Sequence, residues 1–186
     1  TNVSNTTRFG QYFILPFGEN VTLGGTSAFR YTGLFARAEE NGTIVELDYN
    51  GDGITDVTSP TLSQGQVWFY NGAATTPGVN NAANVNTATD IKSGAIVKSN
   101  KNVGIDLVFG GIDFYGTRNI PILPGQFYGD TYYSSVYSTD ATAPVYAFFV
   151  NPNTTTITID WTRSVGAPLT GSFTVPPNGG AAYFDI

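Results

Sequence analysis

Apolar and polar residues alternate with a period of two along much of the chain, which is the period of a half-buried strand. The segments with this pattern are rich in β-branched and aromatic residues and are bounded by Gly, Pro or Asn. They are residues 43–49, 66–70, 95–98, 103–109, 145–150 and 155–161. No window has both the period and the caps of an amphipathic helix. Short strands at this spacing predict an all-β fold, a β-sandwich of jelly-roll or immunoglobulin-like character.

An internal similarity indicates that one hairpin unit is used twice. Residues 41–49 align with residues 153–161, and residues 61–70 align with residues 174–184. Both stretches have the same order of Asn turn, strand, acid, aromatic residue, Gly turn and closing strand. Unrelated strands can resemble one another by convergence, but this matched order favours a real repeat.

The length of 186 residues is that of one domain. Because the repeat straddles residues 71–90, we predict that residues 1–186 form a single β domain. Residues 71–90 are rich in Asn, Ala and Thr, show no strand period and contain no aromatic residue. A loop of this length is either a contact surface or a tolerated insertion.

The N-terminal stretch, residues 1–17, joins two kinds of sequence. Residues 1–7 are polar, whereas residues 8–17 are apolar and β-prone. A segment this apolar must pair with another strand. It is either the first strand of the chain's own sheet or a strand donated to a neighbouring subunit by β-strand addition.

The strongest chemical motif is a loop rich in Asp and Asn that follows the predicted strand 43–49. Side-chain oxygens stand at loop positions 1, 3, 5 and 9, with a glycine at position 6 and a backbone carbonyl at position 7. This spacing wraps a chain around Ca²⁺, which is bound by oxygen ligands. A cation would also offset the repulsion between three neighbouring carboxylates. The predicted ligands are Asp48, Asn50, Asp52, the carbonyl of Ile54, and Asp56.

The loop differs from an EF-hand, because position 12 is Ser59 instead of a bidentate Glu and Pro60 follows it. It is similar to the Asp-x-Asn-x-Asp-Gly-x-x-Asp loops of extracellular β proteins, whose modest affinity suits extracellular Ca²⁺. The same residues also favour a hairpin turn without any metal. The aligned copy reads Asp-Trp-Thr-Arg at residues 160–163, so only the first copy is predicted to bind Ca²⁺.

Composition narrows the possible chemistry. The chain has no Cys, His or Met, so it cannot form a Ser-His-Asp triad, a Cys nucleophile or an ordinary zinc site. Its acids show no spacing that singles out a glycosidase pair, and we predict that it is not an enzyme. The net charge is −6 and the eight basic residues are scattered, which argues against nucleic acid as a partner. No apolar stretch is long enough to span a membrane.

Five Asn-x-Ser/Thr sequons indicate an extracellular or cell-surface glycoprotein. A chain rich in Thr and Asn also produces such triplets by chance. Three of them lie within the first 22 residues and two lie in predicted turns, where an acceptor must be accessible. The predicted glycosylation sites are Asn2, Asn5, Asn20, Asn41 and Asn153.

Several further segments carry a family resemblance. They are residues 93–106, 115–119, 121–124 and 132–136. Together with the Ca²⁺-type hairpin, they resemble β domains of archaeal and bacterial cell-surface proteins, and the layout is similar to that of extracellular domains related to IgGFc-binding proteins. The resemblance covers about residues 33–184. It implies an adhesive or structural role outside the cell and no catalytic residues.

The low charge and the richness in Thr, Asn, Tyr and Gly also look like glycosylated archaeal surface filaments, many of which join subunits through a donated N-terminal strand. We therefore expect a structural subunit of an extracellular filament or surface layer, with copies of itself as partners and Ca²⁺ in the acidic loop. The alternative is a secreted adhesin module that binds a carbohydrate or a cell surface through exposed aromatic rings. A carboxylate-dependent glycosidase is the weaker third option.

Overall fold

The structure, a computed structural model, describes residues 8–21, 29, 31–72, 90–110, 118–133, 145–163 and 169–185, with side chains in the last range described to residue 182. These ranges contain eleven strands and a short 3-10 helix, Gly125–Phe127. The strands are β1 (Gly10–Ile14), β2 (Tyr31–Ala38), β3 (Val45–Asp48), β4 (Val57–Thr58), β5 (Val67–Tyr70), β6 (Ile96–Gly110), β7 (Arg118–Ile122), β8 (Tyr146–Asn151), β9 (Ile157–Arg163), β10 (Leu169–Val175) and β11 (Gly180–Asp185). The all-β prediction is confirmed, whereas the sandwich architecture stays a prediction.

The long strand β6 organises an antiparallel sheet of seven strands. Along the path β4-β3-β6-β2-β5, each strand pairs with the next, and β1 and β7 also pair with β6. Val103 of β6 pairs with Gly10 of β1 and with Ala38 of β2, so β1 and β2 lie on opposite sides of β6. In the same way, Val97 pairs with both Phe13 and Leu47, which puts β1 opposite β3. Therefore β2 and β3 follow one another along the same side of β6.

The sequence pattern predicted two strands, at residues 95–98 and 103–109, but the structure has one continuous strand there. The polar residues between the two apolar stretches remain in the strand because backbone groups of the turn before β3 form hydrogen bonds with them. The side-chain oxygen of Asn100 accepts a hydrogen bond from the backbone N–H of Ile44 at 2.8 Å. The ammonium of Lys101 donates to the carbonyl of Asn41 at 2.6 Å. Polar side chains that would otherwise mark a turn are thus held at a strand edge.

The predicted repeat corresponds to two units with the same nesting of strands. In the first unit β3 pairs with β4, and β5 pairs back with β2. In the second unit β9 pairs with β10, and β11 pairs back with β8. Leu62 and Val175, which the alignment matches, are both buried. The turn that follows each of them contains a glycine in the left-handed region, Gly65 with φ 76° and Gly179 with φ 84°.

The hydrophobic core lies against β6 and its direct neighbours. Phe13, Leu34, Leu47 and Leu107 are completely buried, and they come from β1, β2, β3 and β6. The second unit reaches this core through Phe148, which packs against Phe17 at 5.3 Å between ring centroids. The core is therefore built mainly by the first unit and β6.

The N-terminal strand β1 pairs with β6 of its own chain. The hydroxyl of Tyr128 reinforces this position, since it accepts a hydrogen bond from the backbone N–H of Ile14 at 2.9 Å. This arrangement corresponds to the first of the two alternatives for the apolar N-terminal stretch. Residues 1–7, and residues 73–89 of the predicted Asn-, Ala- and Thr-rich loop, lie outside the described residues.

Candidate functional site

The predicted Ca²⁺ loop connects the two strands of the β3–β4 hairpin. Asp48 is the last residue of β3, and the hairpin resumes where Leu47 pairs with Val57. The backbone N–H of Asp56 donates to the carbonyl of Leu47 at 2.9 Å and closes the loop. All five predicted ligands therefore lie within one connection at the end of a buried strand.

Asp48 is the centre of this loop. It is only 5% exposed, so its carboxylate needs partners inside the protein. One carboxylate oxygen accepts the backbone N–H groups of Gly51 at 2.6 Å and Asp52 at 3.2 Å, and the other accepts that of Gly53 at 2.8 Å. Charge-assisted bonds of this kind are the stronger class of hydrogen bond. The backbone is consequently wrapped around the first predicted ligand.

The remaining predicted ligands are exposed, and the side chains of Asn50, Asp52 and Asp56 also bind loop amides. Asn50 accepts the N–H of Asp52 at 2.9 Å, and Asp52 accepts the N–H of Ile54 at 2.8 Å. Asp56 accepts the N–H of Tyr49 at 3.0 Å. Partial burial, the charge and hydrogen bond of Asp56, and the charge of Asp52 raise the pKa of Tyr49.

The donor set is chemically suited to Ca²⁺, since it consists of three carboxylates, an amide oxygen and a backbone carbonyl, all hard oxygen ligands. Each carboxylate has lone pairs beyond those that the loop amides use. Within the described ranges, however, no three acidic side chains converge into a metal-binding group. The predicted ligands therefore lie within one short connection, but their carboxylates do not converge on a common point.

A second polar cluster, which the sequence analysis missed, is the buried pair of Glu19 and Asp90. Glu19 is 5% exposed and Asp90 is fully buried. Glu19 accepts the backbone N–H of Thr32, at the start of β2, at 3.1 Å, and its own N–H donates to the carbonyl of Ile91 at 2.9 Å. The ammonium of Lys92 lies 3.6 Å from Asp90. The cluster thus ties the segment after β1 to β2 and to the segment before β6.

Burial, together with the hydrogen bond and charge of Asp90, raises the pKa of Glu19 to about 8, although the N–H of Thr32 and the charge of Lys92 act in the opposite direction. A carboxyl group with this pKa holds its proton at neutral pH, so Glu19 can donate a hydrogen bond to Asp90. Burial and the charge of Glu19 also raise the pKa of Tyr31. One sequence signal was available, because Glu19 is an isolated acid in an otherwise apolar stretch.

Three of the predicted glycosylation sites lie in the described part of the chain. Asn20, Asn41 and Asn153 are all exposed. The side-chain oxygen of Asn20 accepts the N–H of Ser93 at 2.7 Å, and that of Asn41 accepts the N–H of Gln64 at 2.9 Å. The other two sites, Asn2 and Asn5, lie outside the described residues.

The fold class of the chain is all-β, with antiparallel pairing throughout the described sheets. No protein-family model matches it, and neither a curated protein nor a solved structure gives a significant match. None of the described helical residues forms a segment with the length and apolarity to cross a bilayer.

Proposed function

We propose that the protein is a structural subunit of an extracellular filament or surface layer that assembles from copies of itself. The observation that carries this proposal is a set of exposed apolar side chains in and beside the second unit. Tyr133 is 96% exposed, Tyr132 is 62% exposed, and Leu169 at the start of β10 is 48% exposed. Exposed apolar surface of this kind is typical of interaction sites. The exposed sequons are compatible with an extracellular location.

We further propose that Ca²⁺ binds the loop between β3 and β4. Asp48, Asn50, Asp52, the Ile54 carbonyl and Asp56 would hold the ion. The proposal is supported by the hard-oxygen donor set, which lies within one short connection of the chain. A bound ion would neutralise the carboxylates and stabilise the hairpin, because it would bind the folded loop better than the unfolded chain.

Electron microscopy of the purified chain, with Ca²⁺ and with a chelator, tests the assembly proposal. We expect ordered filaments or sheets with Ca²⁺ and their loss in chelator, because the metal stabilises the subunit. A monodisperse monomer under both conditions would contradict self-assembly. Filaments that persist in chelator would support self-assembly and show that assembly does not require Ca²⁺.

The metal proposal has its own test in the melting temperature of the protein with and without Ca²⁺. The wild type should melt at a higher temperature with Ca²⁺, and Asp52→Ala should lose this increase. Asp160→Ala is the matched control, since Asp160 is the aligned acid of the second unit and lies exposed within β9. An equal increase in Asp52→Ala and the wild type would show that the loop is only a turn.

The second candidate function is an adhesin module that binds carbohydrate, which the adjacent exposed rings of Tyr132 and Tyr133 favour. Tyrosine faces stack on apolar faces of ligands while the hydroxyl remains hydrated. A glycan array probed with the monomeric wild type and with Tyr133→Ala separates this function from the first. Binding by the monomer that the substitution abolishes would favour the adhesin.

A further inference from the structure

Four Asn-Gly pairs occur in the chain, at residues 41–42, 50–51, 71–72 and 178–179. In such a pair the backbone nitrogen of the glycine can attack the side-chain carbon Cγ of its own asparagine, because glycine has no Cβ to block the approach. The asparagine then loses ammonia, takes up water and becomes an acid. Because the four pairs have the same sequence, the fold around each pair decides how they differ in this reaction.

Three of the pairs lie in surroundings that oppose the attack. The N–H of Gly42 donates to the backbone carbonyl of Leu62 at 2.9 Å. The N–H of Gly179 donates to that of Asn151 at 2.8 Å. A backbone carbonyl is neutral and does not remove the proton from the attacking nitrogen. Gly72 is buried, so the third pair has little access to the water that completes the reaction.

The pair Asn50–Gly51, in the connection between β3 and β4, has a different environment. The N–H of Gly51 donates to a carboxylate oxygen of Asp48 at 2.6 Å. A carboxylate at this distance is a base that can take up the proton while the nitrogen attacks. Asp48 is only 5% exposed, and its other oxygen is held by the N–H of Gly53 at 2.8 Å, so the base is fixed in place.

The side chain of Asn50 is also folded back over the peptide that would attack it. Its Oδ1 accepts the N–H of Asp52, two residues further on, at 2.9 Å. This Asx turn closes the side chain over the intervening peptide bond, to which the nitrogen of Gly51 belongs. The same N–H stabilises the negative charge that develops on Oδ1 when Cγ is attacked. The nitrogen Nδ2, which leaves in the reaction, donates to the carboxylate of Asp52 at 3.1 Å.

We propose that Asn50 is a site of self-modification, at which Asp48 acts as the base and Asn50 is converted to an acidic residue through a cyclic imide with Gly51. A bond forms between the nitrogen of Gly51 and Cγ of Asn50, and the proton of that nitrogen passes to Asp48. The bond between Cγ and Nδ2 then breaks, and Nδ2 leaves as ammonia with the proton from Asp48. Water from the solvent opens the imide at one of its two carbonyls and leaves a carboxylate at position 50.

The conversion changes the charge of the loop. It adds one negative charge to a chain whose net charge is −6, and it replaces the amide among the proposed Ca²⁺ ligands by a carboxylate. The affinity of a Ca²⁺ site depends on the number of charged ligands. This consequence rests on the proposed Ca²⁺ site, whereas the modification itself does not.

Peptide mass spectrometry of the folded protein, kept at neutral pH in chelator, tests the inference by following all four pairs over time. We expect Asn50 to be converted about tenfold or more faster than the asparagines of the other three pairs. The matched control is the same chain unfolded in guanidinium chloride, where the four pairs lose their folded surroundings and should react at similar rates. Similar rates in the folded protein would overturn the inference.

Asp48→Asn tests the role of the base. The amide keeps an oxygen that accepts an N–H but does not take up a proton, so conversion of Asn50 in the folded variant should slow by about tenfold or more. An unchanged rate at Asn50 would also overturn the inference. The comparison of the four pairs needs no variant, so it decides the question even if Asp48→Asn does not fold.

Melting temperatures separate the inference from the proposed Ca²⁺ site. Asn50→Asp should gain more thermal stability from Ca²⁺ than the wild type, because it adds a charged ligand. Conversion of Asn50 without any effect of Ca²⁺ on either protein supports the inference and contradicts the metal site. A larger gain in Asn50→Asp without conversion of Asn50 in the wild type overturns the inference and supports the metal site.

Discussion

The two four-strand units have the same order of pairing but very different burial. Most of β2 and β3 is buried, whereas all residues of β8 and β9 except Asn151 are half-exposed or exposed. The local patterns of the aligned segments are similar, so the pattern alone does not explain this difference. The difference comes from β6, because this strand pairs with β2 and β3 and contributes core side chains beside them. Strands with similar sequence patterns can therefore be buried in one part of the molecule and exposed in another.

The aligned acids Asp48 and Asp160 show the same dependence on the surrounding structure at the level of one residue. Asp48 ends its strand and accepts three backbone N–H groups of the following turn. Asp160 lies inside β9, where it pairs with Ser172 of β10 and is exposed. The sequence Asn-Gly-Asp-Gly, residues 50–53, turns the chain shortly after Asp48, whereas β9 continues beyond Asp160. Where the strand ends decides whether the acid becomes part of a loop site.

The largest expected effect is on the core of the first unit. Leu47→Ala removes a fully buried side chain and should lower the free energy of unfolding by about 2–5 kcal/mol. Ile159→Ala, at the aligned and only half-buried position of β9, should cost about 1 kcal/mol in the monomer. Urea denaturation of both variants measures the difference. Equal losses would mean that the two units are packed alike.

The next effect is a dependence on pH that arises at the start of β2. The pKa of Glu19 is raised from its ordinary value of 4.5 to about 8, so the stability that it contributes is complete below pH 4.5 and is lost as the pH rises through about 8. Allowing for solvent screening, we expect the free energy of unfolding to fall by about 2 kcal/mol over this window. Denaturation at pH 5 and pH 9 measures this loss.

Glu19→Gln is the control for the pH effect, because the amide stays uncharged and still has an oxygen to accept the N–H of Thr32. The variant should lose most of the pH dependence. Asp90, Lys92, Tyr31 and Tyr70 are the other titratable groups around this site. A pH dependence that is the same in Glu19→Gln and in the wild type would assign it to one of them.

An effect of about the same size is expected for the loop when no metal is bound. In chelator, Asp48→Ala leaves the amides of Gly51 and Gly53 without their acceptor, while that of Asp52 keeps Asn50, and should cost about 2 kcal/mol. Asp160→Ala removes an exposed side chain and should change the stability by less than about 0.5 kcal/mol. Thermal denaturation in chelator compares the two variants. Similar values would show that the carboxylate of Asp48 does not organise its loop.

The smallest effect concerns the glycine turns that precede the closing strands. An added Cβ at Gly65 meets no atom within 4 Å, whereas one at Gly179 lies 3.2 Å from the carbonyl oxygen of Gly94. Gly65→Ala should cost about 1 kcal/mol for its positive φ alone. Gly179→Ala should cost somewhat more, because its Cβ also presses on the segment that leads into β6. Melting temperatures measured side by side test this order.

The all-β fold and most strands could be predicted because alternation directly reports which residues share a face. Besides the two-residue strand β4, three strands lacked a clear signal. Strand β2 contains Gly33 and Arg37, β7 contains Pro121, and β10 contains Gly171. Each of these residues lowers the local strand preference. Pairing with β6 stabilises β2 and β7, and pairing with β9 stabilises β10. These pairings cannot be read from the local sequence of each strand.

The candidate Ca²⁺ loop was found from the spacing of its oxygen side chains, since all its members are close in sequence. The acid pair could not be found in this way, because Glu19 and Asp90 are distant in sequence and meet only in the folded chain. Its chemistry depends on burial, which a single sequence does not report residue by residue.

The sequence by itself determined the all-β class, the internal similarity between residues 41–70 and 153–184, the acidic loop and the chemistry that the missing His and Cys exclude. These properties follow from composition and from spacing over a few residues. Only the tertiary structure decided that β6 is one continuous strand, that it covers the first unit and not the second, and that Glu19 meets Asp90 in the interior. The physical reason is that hydrogen bonding across a strand edge and desolvation of a carboxylate depend on neighbours far along the chain.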